Sequence, residues 1–157
     1  KKDFRDIYSS PMSQGTRCHQ LATYIVFDSP LVMLCDAPTA YRKEPECTRF
    51  IAGLPVVADE TRILQGKMGE YIVTARRVGE DWIVGGLTDW EARTVDLDLS
   101  FLPEGMFRAE IFCDGINADK KGEDYRHEYR DVKREDRLKM QLAPGGGFAI
   151  RLKKNHN

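Results

Sequence analysis

The sequence predicts a mainly-β fold: an antiparallel β-sandwich of about eight strands, preceded by an α-helical segment. Three observations carry this. First, Val95, Leu97, Leu99 and Phe101 alternate with Thr94, Asp96, Asp98 and Ser100. A period of two, apolar against polar, describes a strand with one face on a core and the other in water. Second, turn signals recur after Pro55 at the spacing of a sandwich. Third, the residues before Pro55 carry a helical pattern instead.

In chain order, residues 1–13 read as an entry loop containing Pro11. Ser13 is the expected N-cap of a helix that places Cys18, Leu21, Ala22, Ile25 and Ser29 on one side. Tyr24, Val26 and Phe27 fall elsewhere on the wheel, so this helix is apolar nearly all round and is expected to need burial in something larger. Pro30 begins a further apolar run through Leu34, which Asp36-Ala37-Pro38 ends. A short helix is expected from Pro45 to Ala52, closed by Gly53 and Pro55. The segment 1–54 thus reads as a helical remnant unable to bury its own surface, and 55–157 as the sandwich.

Within the sandwich a first strand is expected inside 56–64, with 66–69 linking it to residues 70–102. That central stretch reads as a three-stranded meander, with a turn at Val78-Gly79-Glu80-Asp81 and a connection at Thr88-Asp89-Trp90. A fifth strand, 106–112, points Phe107, Ala109 and Ile111 one way. After the loop 114–124, the polar run 126–132 suits an edge strand protected by charge. Leu138, Met140 and Leu142 mark a seventh strand. Pro144-Gly145-Gly146-Gly147 turns the chain into an eighth, carrying Phe148, Ile150 and Leu152.

The totals are those of a globular chain: 157 residues, 41% hydrophobic and 31% charged. With 24 basic and 25 acidic residues well mixed, nothing predicts nucleic acid or an anionic membrane as partner. The longest apolar stretch, 21–27, is too short to span a bilayer. The chain lacks a signal-peptide pattern and does not begin with Met, so we expect a piece of a longer protein. Cys18, Cys35, Cys47 and Cys113 show no zinc spacing, and buried free thiols are the preferred reading.

Each candidate for chemistry has a blander competitor. Asp59-Glu60 is an acidic pair, but adjacent strand residues point to opposite faces, so a solvated strand end is favoured over a glycosidase carboxylate pair. Arg17 and His19 open the first helix and are expected to pair locally; His127 and His156 show no partner. The run 114–119 is oxygen-rich but breaks the EF-hand pattern, so an Asx-rich turn is preferred to calcium. Trp90 is the one candidate contact residue. An indole on a loop either stacks on a sugar ring or packs into an interdomain interface, and interface packing is favoured. Trp82 alternates inward, toward the core.

The blocks QGTRCHQLATYIVFDSPLVMLCDAPTAY, EPECTRFIAGLP, GEYIVTARRVGEDWIVGGLTDWEAR, FCDGINAD and LAPGGGFAIRL, in this order, resemble the C-terminal end of glycoside hydrolase family 97. The likeness covers essentially the whole chain; its departures are small, such as Phe148 where the closing block is expected to carry Trp. The resemblance implies an α-glucosidase or α-galactosidase of Gram-negative bacteria, periplasmic, built from an N-terminal β-sandwich, a (β/α)8 catalytic barrel and a C-terminal antiparallel domain. Residues 14–36 then correspond to the last barrel helix, and 1–54 to the end of the barrel. Catalytic glutamates and the calcium they surround are expected upstream. No position here matches those motifs, so no catalytic or metal residue is assigned and no cofactor is expected in this fragment. The expected role is non-catalytic: to steady the barrel of an enzyme that cleaves α-glycosidic bonds in oligosaccharides. A carbohydrate-binding module using Trp90 is the alternative, and homodimerisation a third reading.

Overall fold

A computed structural model describes residues 4–8, 13–29, 33–34 and 36–155. Cys35, His156 and the predicted turn at Pro30 lie outside the described residues. The elements are α1 (Arg17–Val26), α2 (Pro38–Lys43), α3 (Pro45–Ala52), β1 (Glu60–Lys67), β2 (Tyr71–Val78), β3 (Asp81–Thr88), β4 (Arg93–Asp98), β5 (Phe107–Asp114), β6 (Tyr125–Val132), β7 (Arg137–Leu142) and β8 (Gly147–Lys154).

All eight expected strands form, although β1 starts at Glu60 and pairs with β2 through Gly66 and Lys67, residues expected to be a link. The sandwich they make is unequal: a six-stranded antiparallel sheet β1-β2-β3-β8-β5-β6 faces a two-stranded sheet β4-β7. The expected meander over 70–102 is corrected. β2 and β3 do pair through a two-residue hairpin with Gly79 at φ +61°, as a type II′ loop requires in its first central position. β4, however, crosses to the small sheet, and β8 takes the place beside β3. Burial shows why. β4 has one apolar face and can cover a core from outside, whereas β3 is buried on both faces and must be central.

One core fills the space between the sheets. Trp82, Phe107, Phe148, Ile150, Leu97 and Leu138 meet there, the expected inward sets of β4, β5, β7 and β8 among them. Each such side chain contributes about 1.5–3 kcal/mol of transfer free energy. A second, smaller cluster lies on the opposite face of the large sheet, where α1 and α3 pack Cys18, Leu21, Ile25, Cys47 and Phe50 onto Ile83, Phe112 and Ala149.

This second cluster corrects the expectation of a helix without a place to bury itself. α1 lies so close on the sheet that a Cβ at Gly85 would stand 2.9 Å from Ile25 Cβ. Phe27, Met33 and Leu34 nevertheless remain exposed. The N-cap is also corrected, from Ser13 to Thr16, whose Oγ1 accepts the His19 N–H at 3.0 Å. The backbone explains the shift: Thr16 N–H donates to the Gly145 carbonyl at 2.9 Å, and Arg17 N–H to that of Gly122 at 2.7 Å. These bonds hold the chain extended until Thr16. Pro38, read as a stop, instead opens the unpredicted α2 at its first turn, where a missing N–H costs nothing. α3 has the expected bounds, and Arg151 donates to its Phe50 carbonyl at 2.7 Å.

Candidate functional site

One end of the sandwich gathers most of the conspicuous residues around the turn 144–147. The carbonyl of Gly146 accepts from Thr88 N–H at 3.1 Å and lies 3.1 Å from His19 Nδ1; Gly145 N–H donates to the Asp89 carbonyl at 2.6 Å. Gly145 is left-handed, φ +61°, and a Cβ there would fall 2.5 Å from Cζ3 of Trp90. The turn is therefore glycine because an indole lies on it.

Trp90 sits on the connection between β3 and β4 and is 60% exposed, so one side of the ring meets the turn and the rest is open. Its loop is stiff. Asp89 accepts the Glu91 N–H at 2.9 Å, and Arg93 reaches Asp89 at 3.3 Å and Glu70 at 3.0 Å while lying over the Tyr71 ring. The Glu91 N–H foremost, then Arg93, hold the Asp89 carboxyl below the ordinary aspartate range. An exposed indole on a braced loop loses little entropy when something packs on it.

Behind this loop Asp114 closes the end of β5. It is 6% exposed, and its Oδ2 accepts the N–H groups of Ala143 (2.9 Å) and Gly147 (3.0 Å). Between β4, β7 and the loop after Asp114 runs an open cleft of about 560 Å³, lined by Arg93, Asp119, Ile116, Arg126 and Gln141 among others. Its walls mix donors, acceptors and apolar surface. Trp90 does not line this cleft.

The other residues singled out from sequence are dispersed. Arg17 pairs with Glu44 at 2.8 Å, and His19 makes the turn contact above; both partners lie far along the chain, where local pairing was expected. Asp59 accepts the Gly79 N–H at 2.7 Å; Glu60 pairs with Arg62 and Arg77, and these cations hold its carboxyl below the usual range. In the oxygen-rich loop Asp124 Oδ2 accepts the Asn117 N–H at 2.8 Å, the behaviour of a side-chain-stapled turn. Among the described residues no three His, Cys, Asp or Glu side chains converge as a metal-ligand set. Cys18, Cys47 and Cys113 are buried free thiols, and burial pushes each of them up.

His127 is a correction. Expected to lack a partner, it stacks on Phe112 at 4.0 Å with its ring nitrogens 3.4 Å from Glu46 and 3.2 Å from Glu110. Sequence reasoning missed this because Glu46 lies on α3, far off in the chain. It read Asp114 only as part of an oxygen-rich turn, and it passed over Arg93; the runs of small residues at 85–86 and 145–147 were the available signal that something approaches there.

Comparison with known proteins agrees with this architecture. A family model described as glycosyl-hydrolase 97 C-terminal, oligomerisation, matches residues 57–153. A retaining alpha-galactosidase of Bacteroides thetaiotaomicron is 56% identical over 153 residues, covering 98% of this chain and 23% of that protein. A probable retaining alpha-galactosidase of Streptomyces bingchenggensis is 30% identical over 130 residues, covering 83% of this chain and 19% of that protein. A glycoside hydrolase family 97 enzyme of Pseudoalteromonas sp. strain K8, solved with acarbose, superposes with a TM-score of 0.88 at 38% identity, over 91% of this chain and 23% of that one. The chain thus spans about a quarter or less of the relatives it matches. By its residues, strand arrangement and matching model, the chain belongs to the glycosyl-hydrolase 97 C-terminal, oligomerisation, family.

Proposed function

We propose that this chain is the non-catalytic C-terminal part of a retaining glycoside hydrolase that cleaves α-galactosides. The observation that carries the reading is 56% identity to a retaining alpha-galactosidase across 98% of the chain. Residues 1–54 are then the end of the catalytic (β/α)8 barrel, and 55–157 the domain that steadies it and takes part in subunit assembly. The exposed Phe27, Met33 and Leu34 support this division, because they offer apolar surface that an upstream barrel would cover. Calcium and the catalytic carboxylates belong upstream in this reading, and the enzyme works in the periplasm. Hydrolysis of nitrophenyl α-galactoside and α-glucoside, assayed with the intact parent and with residues 1–157 alone, tests it. The parent is expected to prefer the galactoside and the chain alone to turn over neither. Activity of the chain alone, or a parent that prefers the glucoside, overturns the proposal.

Trp90, braced and 60% exposed, serves in this reading as a contact to the upstream part and not as a sugar platform. In the intact parent, Trp90→Ala is expected to lower thermal stability and leave KM within about twofold, since it removes packing and no substrate contact. A saturable fluorescence change of the chain with galacto- or gluco-oligosaccharides, abolished in Trp90→Ala, would instead establish a binding module.

A further inference from the structure

The assembly role proposed above leaves open which surface two copies share, and the large sheet offers two edges. β1 is the poorer one. Its ladder with β2 slips between Ile63 and Gln65, a bulge, and Gln65 spends its side chain on the Asp96 carbonyl of the small sheet at 2.7 Å. Bulges twist an edge away from further pairing. β6 is regular over its whole length, in unbroken register with β5 from Phe107↔Val132 to Asp114↔Tyr125. Beyond this ladder with β5, none of its backbone groups takes part in a backbone hydrogen bond among the described residues.

The charges that would blunt this edge are arranged to complement themselves. Facing residues of an antiparallel pair share a face, so a copy of β6 meets β6 about a two-fold axis only in registers centred on a residue. Centring on Glu128 sets Glu128 against Glu128 and Arg126 against Arg130; centring on Arg130 sets Arg130 against itself. Like charges directly opposite are destabilising. Centring on His127 sets Arg126 against Glu128 twice but keeps only 125–129 of the strand paired. Centring on Tyr129 pairs 126–132 and sets Glu128 against Arg130 twice and His127 against Asp131 twice, with the two tyrosines facing on the axis. Tyr129 is 55% exposed, and Glu128 and Arg130 already touch at 3.4 Å within one strand, so the pairing extends an alternating array across the axis. Tyrosine is the residue type enriched at the energetic centre of interfaces.

We propose that β6 is the oligomerisation edge: two copies of this chain add β6 to β6, antiparallel about Tyr129, to form one continuous twelve-stranded sheet. The occupant is a second copy, because the strand's charges complement themselves, and the length of strand paired selects the Tyr129 register. The mode is strand addition, in which main-chain hydrogen bonds give affinity and facing side chains give specificity.

The test uses this chain and the intact parent, with Cys35→Ser so that only the introduced cysteine and the three buried thiols of this chain remain. Sedimentation is expected to show a concentration-dependent dimer, and Tyr129→Cys to form a disulfide-linked dimer on mild oxidation, while Ile63→Cys on the β1 edge does not. Glu128→Arg and Arg130→Glu, each turning two attractive pairs repulsive, are expected to weaken association roughly tenfold or more, and the double exchange to restore it. A dimer in which Tyr129→Cys fails to cross-link, or in which the double exchange fails to restore association, overturns the β6 assignment and leaves assembly to another surface. Monomers at all concentrations overturn the assembly role together with it. Cross-linking in the chain but not in the intact parent overturns it as well, since the upstream part then covers this edge. Circular dichroism of each variant confirms that the sheet is retained.

Discussion

Replacing Asp114 by Ala is the most direct probe of the turn that organises one end of the domain. The carboxylate is 6% exposed and accepts two backbone N–H groups, of Ala143 at 2.9 Å and Gly147 at 3.0 Å. It packs closely against the turn: a Cβ on Gly146 would stand 2.0 Å from Oδ2. Removing the acceptor strands two donors, each at about 1–3 kcal/mol, for an expected loss of about 2–6 kcal/mol. Typical domains have about 5–15 kcal/mol in all. At about 2–4 °C per kcal/mol for a chain of this size, Tm falls by about 4–24 °C. Asp114→Asn can place its amide oxygen where Oδ2 stands and keep both bonds as neutral ones, so less than half the loss is expected. Urea unfolding followed through the buried Trp82 measures the stability, and hydrogen exchange at the Ala143 and Gly147 amides reports the turn itself. A loss below about 1 kcal/mol with unchanged protection of both amides would refute the assignment of Asp114 as the acceptor that fastens β7 to β8.

Three further outcomes follow from the packing and charge. A Cβ on Gly86 would stand 2.2 Å from Cε1 of the buried Phe148, so Gly86→Ala is expected to cost about 1–3 kcal/mol in urea unfolding, and Phe148→Leu in the same chain to recover part of it. Cys18, Cys47 and Cys113 are buried and their thiols are pushed up by desolvation, so mass spectrometry after brief treatment with a thiol reagent at pH 8 should find all three unmodified until the chain is unfolded. Glu70 is held below the ordinary glutamate value of 4.5, first by Lys67 and then by Arg93. A folded value below the unfolded one means stability present above pH 4.5 and lost as pH falls through the folded value, so Glu70→Gln should flatten the acid limb of an unfolding-versus-pH curve. An unchanged acid limb would count against the Glu70 ion pairs.

The sequence by itself determined the elements. Alternation in β4, β5, β7 and β8 and glycine-marked turns are properties of neighbouring residues, so eight strands, the bounds of α3 and the polar edge at β6 could be read directly. The tertiary structure decided what lies beside what. That β8 and not β4 borders β3, that α1 covers Gly85, that His127 lies between Glu46 and Glu110, and that Trp90 rests on Gly145 all join residues far apart in the chain. A local period says which face of a strand is apolar and nothing about which strand will be its neighbour. Long-range pairing is selected by the summed burial of every face at once, and only the folded chain performs that sum.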